Sequence, residues 1–165
     1  MSKYLLYVIV LLALIGCSNE VLSEGNLPIT ENKIVHKAKP PNVYIETGNS
    51  RLETTLGTYC WHVEGKGTCV DTVGPIDLLK GKKPLVVKAG EKIHFVMDYE
   101  PKPNKFHLLQ IHNNSEEEVE VKNEQFLAPT EKGIYYYSYG VWWLNQNNAN
   151  VSKGDAFYAF VIEVK

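Results

Sequence analysis

The side chains first suggest copper binding, because potential ligands occur on two consecutive predicted strands. These ligands are His94, Met97, His107 and His112. A copper electron-transfer site needs a thiolate, two imidazoles and usually a weak axial thioether. Along a strand, residues an odd number of positions apart point to opposite faces, so His94 diverges from Met97 and His107 from His112. We therefore expect no metal site and no cofactor, and we retain metal binding only as an alternative.

Cys60 and Cys69 are the thiols that such a metal site would need, and their spacing predicts a disulfide instead. If Glu64-Gly65 forms a two-residue hairpin loop, counting outward places Cys60 opposite Cys69 at a non-hydrogen-bonded pair. The Cα atoms of such a pair lie about 4.5 Å apart, a separation that a disulfide bridges. The same alternation turns Trp61 towards the core and Cys60 away from it.

Catalysis has no local sequence motif in its favour. Asp71, Asp77 and Asp98 are scattered among predicted loops and strand ends. The sequence contains no nucleophile elbow, metalloprotease helix motif, phosphate-binding loop or glycine-rich dinucleotide fingerprint. We therefore predict that the protein is not an enzyme.

Two adjacent tryptophans carry the clearest indication of binding. Trp142 and Trp143 precede the amide-rich stretch of residues 145–150. Because neighbouring residues on a strand face opposite sides, at most one of the two rings fills the core. The other ring lies near the surface beside amide groups, as in many sugar- and peptide-binding faces. We predict a binding surface at Trp142, Trp143, Asn145 and Asn147; the alternative is that the outer ring merely covers a sheet edge or the N-terminal segment.

The elements that position these residues are predicted to be short strands. The runs are 42–47, 57–63, 67–70, 84–88, 91–99, 105–112, 117–122, 134–144 and 156–165. Runs spaced about 8–12 residues apart suit a sandwich or barrel, and the ten tyrosines favour strands over helices. The predicted fold class is therefore all-β, an antiparallel sandwich, with one short helical turn near residues 76–79.

Two family resemblances refine this fold. Residues 131–137, Glu-Lys-Gly-Ile-Tyr-Tyr-Tyr, resemble the approach to the sixth strand of immunoglobulin-like domains. By that resemblance Tyr135 takes the tyrosine-corner position and Tyr137 replaces the inter-sheet cysteine. Residues 87–95, Val-Lys-Ala-Gly-Glu-Lys-Ile-His-Phe, instead resemble a strand pair of cupredoxin-like domains. Both families are antiparallel sandwiches, so either resemblance implies the same fold class.

The N-terminus resembles a bacterial lipoprotein signal peptide. Lys3 precedes an apolar run at residues 4–15, too short to span a bilayer, which needs about 20 residues. Gly16-Cys17 then completes a sequence similar to a lipobox. The resemblance implies a signal peptide at residues 1–16, a lipid group on Cys17, and a flexible tether over residues 17–41 before a sandwich domain at residues 42–165. The alternatives are an uncleaved anchor helix and an extra edge strand near residues 33–36.

These features predict a lipid-anchored module on the extracytoplasmic side of the cell membrane, where disulfides persist. Its net charge of −2 offers no basic field for nucleic acid. We expect a non-catalytic domain that binds an unidentified protein, peptide or cell-wall glycan. The alternatives are a cupredoxin-like metal-binding lipoprotein and an inhibitor of secreted peptidases.

Overall fold

Alternating apolar and polar residues build two antiparallel sheets that pack face to face. The computed structural model describes residues 39–165 except Gln146, with the backbone alone at residues 148–151. The strands are β1 (Val43–Thr47), β2 (Ser50–Glu53), β3 (Thr55–Val63), β4 (Lys66–Val70), β5 (Leu85–Val87), β6 (Lys92–Met97), β7 (Lys105–His112), β8 (Ser115–Glu118), β9 (Gln125–Leu127), β10 (Gly133–Asn145) and β11 (Asn148–Val164). A single-turn helix, α1 (Pro75–Leu78), lies between β4 and β5. The predicted all-β sandwich is confirmed.

The two sheets differ in size and share no strand. The small sheet has the order β2-β1-β6-β9, and the large sheet has the order β4-β3-β11-β10-β7-β8. Strand β11 is long enough to pair with β3 at Gly154–Ala159 and, in parallel, with β5 at Ile162–Val164. The order β11-β10-β7-β8 is that of strands G, F, C and C′ in immunoglobulin variable domains.

Aromatic rings fill the space between the sheets. Alternate residues of β10 point inward, namely Tyr135, Tyr137, Tyr139, Val141 and Trp143. Phe95 of the small sheet stacks on Tyr139 with 3.9 Å between ring centroids, and Tyr137 stacks on Phe160 at 4.8 Å. Fully buried rings of this size contribute roughly 1.5–3 kcal/mol each, so this aromatic layer is the main stabilising contact between the sheets.

Tyr135 and Tyr137 occupy distinct positions near the start of β10. The Tyr135 hydroxyl donates to the Glu131 carbonyl oxygen, four residues upstream, at 3.0 Å. This is the contact of a tyrosine corner. Tyr137 is fully buried, and its hydroxyl donates to Gln110 Oε1 at 2.7 Å. The buried Tyr137 hydroxyl is therefore hydrogen-bonded, and a tyrosine stands where an immunoglobulin domain has a cysteine of its inter-sheet disulfide.

A second, smaller apolar cluster covers the outer face of the large sheet. Leu79, just after α1, packs with Ala159 and Val161 of β11. Pro75 starts the helix, a position where its missing N–H costs nothing. The segment around α1 thus lies across the outer face of the large sheet and buries part of it.

The β3–β4 hairpin has the predicted register. Cys60 pairs with Cys69 across the hairpin, their Cα atoms are 4.1 Å apart, and their sulfurs are bonded. Glu64 and Gly65 have φ angles of 51° and 78°, as a two-residue hairpin turn requires. The predicted disulfide is confirmed.

Several strand boundaries differ from the predicted ones. The run predicted at 117–122 pairs with β7 only as far as Glu118, and Lys122 makes an isolated bridge to Gln125. Strand β8 begins earlier, at Ser115, because Asn113 and Asn114 form a tight turn with positive φ directly after β7. Strand β11 begins at Asn148 and not at 156, since it continues the hairpin with β10. The short strands β2 and β9 were not predicted.

The chain enters the sandwich at Pro40 and Pro41, both of which are buried. The Tyr158 hydroxyl donates to the Pro41 carbonyl oxygen at 2.7 Å and holds this entry against β11. Cys17, the predicted signal peptide and most of the predicted tether lie outside the described residues. Within residues 39–165, no helix is long and apolar enough to cross a membrane.

Candidate functional site

The two adjacent tryptophans of β10 lie on opposite faces of the large sheet. Trp143 points inward and is 4% exposed. Its ring lies 4.9 Å from that of Trp61 and 5.9 Å from that of Tyr99, and its indole N–H donates to the Pro101 carbonyl oxygen at 2.7 Å. The same burial raises the pKa of Tyr99. Trp143 is therefore a core residue at the end of the sandwich.

Trp142 points outward and stays partly exposed. Its ring meets Phe157 edge to face at 5.5 Å, and the ammonium of Lys105 lies 5.6 Å from the ring centroid. Gly140 makes room for both rings, since a Cβ there would stand 2.8 Å from each of them. The result is an aromatic platform, Trp142 with Phe157, on the outer face of the large sheet.

A polar cavity of about 400 Å³ lies beside the end of the β10–β11 hairpin. We call it the hairpin-end cavity, and its lining is Pro101, Lys102, Asn104, Trp143, Leu144, Asn145, Asn147 and Lys153. Asn104 shapes it, because its side chain donates to the Leu144 carbonyl oxygen and accepts from the Leu144 N–H at 2.9 and 2.8 Å. Its backbone N–H also donates to the Trp142 carbonyl oxygen at 3.1 Å. Asn104 thus joins the cavity to the strand that carries the aromatic platform.

The predicted binding residues divide between these two places. Trp143, Asn145 and Asn147 line the hairpin-end cavity, whereas Trp142 belongs to the platform on the outer face. The Asn147 N–H donates to Asn145 Oδ1 at 2.9 Å, which links these two residues at the cavity. The four residues therefore form two separate patches at the end of β10, one on the outer face of the sheet and one at the cavity.

A second cavity of about 300 Å³ adjoins the platform on the outer face, beneath the segment around α1. Small residues form its floor, namely Gly57, Ser138 and Ala159, while Phe157, Pro75 and Leu78 form its walls. A β-bulge between Ala156 and Tyr158 re-aims Phe157 at this point. Phe157 therefore contributes to both the cavity and the platform. Sequence reasoning missed this cavity, and its only local signal is the small residues on an otherwise bulky face.

A third cleft of about 700 Å³ opens at the edge of the sandwich near β8 and β9. Its acidic residues are Glu117, Glu118, Glu120 and Glu131. His112 lies against Tyr135 there, with ring centroids 4.2 Å apart, and its Nδ1 is 2.8 Å from the Ile134 carbonyl oxygen. This cleft is complementary to cationic groups and carries no tryptophan.

The histidines and Met97 do not converge. His94 is exposed on the outer face of the small sheet while Met97 is buried in the core. His107 is on the outer face of the large sheet, 3.4 Å from Glu118, and His112 packs on Tyr135. Among the described residues, no group of three or more His, Cys, Asp or Glu side chains is arranged to hold a metal ion.

No protein-family model, curated protein or solved structure matches the chain.

Proposed function

We propose that the protein is a lipid-anchored, extracytoplasmic, non-catalytic module that binds a partner through the end of the β10–β11 hairpin. The observation that carries the proposal is the partly exposed Trp142. Its ring is held in place by Phe157 and by the space above Gly140. A large ring fixed at the surface offers binding area with little entropy left to lose.

The surroundings of Trp142 support binding more than simple coverage of a sheet edge. Trp142 pairs with Asp155 of β11 on one side and Lys105 of β7 on the other, so it lies in the interior of the large sheet. The apolar cavity shares Phe157 with the platform, and the polar hairpin-end cavity is lined by Trp143–Asn145, the residues that follow Trp142 on β10. A ligand on the platform can therefore extend into the apolar cavity or around the end of β10 towards the polar one.

The test compares the full chain with two variants in intact cells. A C-terminally tagged protein is crosslinked in the envelope, and the captured material is quantified for Trp142→Ala. We expect capture to fall about tenfold or more, as for a central aromatic contact. Tyr44→Ala is the matched control, because Tyr44 is a partly exposed ring on the outer face of the other sheet.

Unchanged capture by a folded Trp142→Ala protein would disprove the proposed site. Equal losses for Trp142→Ala and Tyr44→Ala would do the same, since they would show no preference for the hairpin end.

A further inference from the structure

We propose that the hairpin end binds an anionic glycan, with a sugar ring on Trp142 and a carboxylate or phosphate group in the hairpin-end cavity. This inference rests on the proposed function and names the class of ligand for it.

The charges of the cavity carry the first part of the inference. Lys102 and Lys153 line it, and among its described lining residues there is no carboxylate. The Lys102 ammonium donates to the Met97 carbonyl oxygen, which ties the otherwise flexible chain to the protein and leaves two of its three donors. The cavity therefore favours a negatively charged group, in a protein whose overall charge is negative.

Neighbouring carboxylates do not cancel this preference inside the cavity. Glu100 is turned to its own loop, where it accepts from the Lys102 N–H at 3.2 Å. Asp155 lies opposite Trp142 on β11, beside the platform and outside the cavity lining. Lys105, whose ammonium lies 5.6 Å from the centroid of the Trp142 ring, adds a third cation at the platform.

The aromatic platform and the amide side chains support the second part of the inference, that the ligand is a sugar. A sugar ring has an apolar C–H face, which suits an indole, and a hydroxyl edge, which needs donors and acceptors. Asn145 and Asn147 follow Trp142 along the chain and supply amide groups at the cavity. Asn104 has both side-chain groups engaged with Leu144, so it shapes the site and is not expected to bind.

A lipid surface is the other ligand that aromatic and cationic residues attract, and the hairpin fits it less well. Insertion into a bilayer interface requires a projecting apolar face. The sequence of residues 145–150, Asn-Gln-Asn-Asn-Ala-Asn, contains no large apolar residue. We therefore favour a glycan.

The experiment measures binding to the purified full chain in mild detergent by calorimetry and by tryptophan fluorescence. The probes are a glucuronate-containing oligosaccharide, a glycan with phosphodiester links, the first oligosaccharide with its carboxylates reduced to alcohols, inorganic phosphate, and mixed micelles of the same detergent containing phosphatidylglycerol. We expect at least one charged oligosaccharide to bind tenfold or more tightly than the reduced one, and its affinity to fall with ionic strength.

Two double substitutions test whether the cavity lysines bind the negatively charged group. Lys102→Gln with Lys153→Gln should lower the affinity for the charged oligosaccharide to that for the reduced one, whereas Lys83→Gln with Lys122→Gln, away from the cavity, should leave it unchanged. Trp142→Ala should weaken binding to the charged and the reduced oligosaccharides alike, because stacking does not depend on charge. Circular dichroism and urea midpoints confirm that each variant is folded.

The inference is overturned if neither charged oligosaccharide binds, if the reduced oligosaccharide binds equally well, or if phosphatidylglycerol micelles or inorganic phosphate account for all binding. In each of these cases a loss of capture for Trp142→Ala in cells would still support the proposed function. Unchanged capture by Trp142→Ala would contradict both the glycan proposal and the proposed function.

Discussion

At the scale of single residues, burial decides what each tryptophan of β10 does. Trp143 is 4% exposed and packs on Trp61, whereas Trp142 keeps part of its ring in solvent. We expect Trp143→Ala to lower the free energy of unfolding by about 3–5 kcal/mol, since it leaves a large cavity and an unpaired Pro101 carbonyl. Trp142→Ala should cost about 1 kcal/mol, roughly the value of its contact with Phe157. Urea denaturation followed by circular dichroism measures both, and similar losses would show that the two rings share one role.

Gly154 gives a second prediction at this scale, because it faces the buried Trp61. A Cβ at Gly154 would lie 2.5 and 2.7 Å from two carbons of the indole. Gly154→Ala should therefore destabilise the protein by about 1–3 kcal/mol, the usual cost of overpacking a core.

Gly74→Ala is the control for this substitution. Gly74 has a φ of −60°, and a Cβ there would meet nothing within 4 Å. We expect a change within about 0.5 kcal/mol. A Gly154→Ala protein as stable as this control would contradict the prediction, because it would mean that the Trp61 ring shifts to accommodate the added methyl group.

At the scale of elements, the disulfide fixes the β3–β4 hairpin at the edge of the large sheet. Strand β4 is exposed along its whole length and pairs only with β3, so few other contacts hold it. Peptide mapping of non-reduced protein should show Cys60 joined to Cys69. Reduction should lower the melting temperature, in line with about 2.5–3 kcal/mol for a loop of this size, and should leave an all-β spectrum. Free thiols at both positions in protein isolated from the envelope would contradict this.

Local signals made some elements predictable from sequence. The Glu64-Gly65 turn fixes the register of β3 against β4, and strand alternation alone separates Trp142 from Trp143. Strand β2, with Leu52 as its one apolar residue, is ordered only because it pairs with β1. The first part of β11 is likewise a strand because β10 lies beside it, although its sequence is mostly polar.

The candidate site was only partly predictable for the same reason. Asn145 and Asn147 adjoin the tryptophans in sequence, but Lys102 and Asn104 reach the cavity from the connection between β6 and β7. Asn104 meets Leu144 across 40 positions, a contact that no local pattern encodes. The apolar cavity likewise depends on Gly57 and Ser138, which come from different strands.

At the scale of the whole molecule, the tyrosine-rich core makes stability depend on alkaline pH. Burial raises the pKa values of Tyr137, Tyr139 and Tyr158 well above their usual value near 10. Above pH 10 the unfolded chain therefore loses phenolic protons that the native protein retains, and stability falls as pH rises. Below pH 10 both states are protonated, and this contribution is fully present.

The measurement is a set of urea midpoints between pH 8 and pH 11.5, with phenolate absorbance recorded in the native and the unfolded protein. We expect the midpoint to fall steadily above pH 10, with part of the phenolate signal appearing only on unfolding. Tyr137→Phe should flatten the fall, because it removes one of these protons. Complete titration of all tyrosines in the native state near pH 10 would contradict the prediction.

The proposed location of the molecule rests on its N-terminal sequence, and Cys17 is the residue that tests it. If the Gly16-Cys17 junction is a lipidation site, Cys17 carries two acyl chains, enough for stable anchoring where a single chain is marginal. Cys17→Ser should remove the attachment and release the protein from the membrane fraction after detergent-free washing. The sandwich begins near Pro40, so the substitution should leave the circular dichroism spectrum and the urea midpoint unchanged. A serine variant that stays with the membrane as firmly as the unaltered protein would instead favour an uncleaved anchor helix, and the binding face would then be held at the membrane by protein and not by lipid.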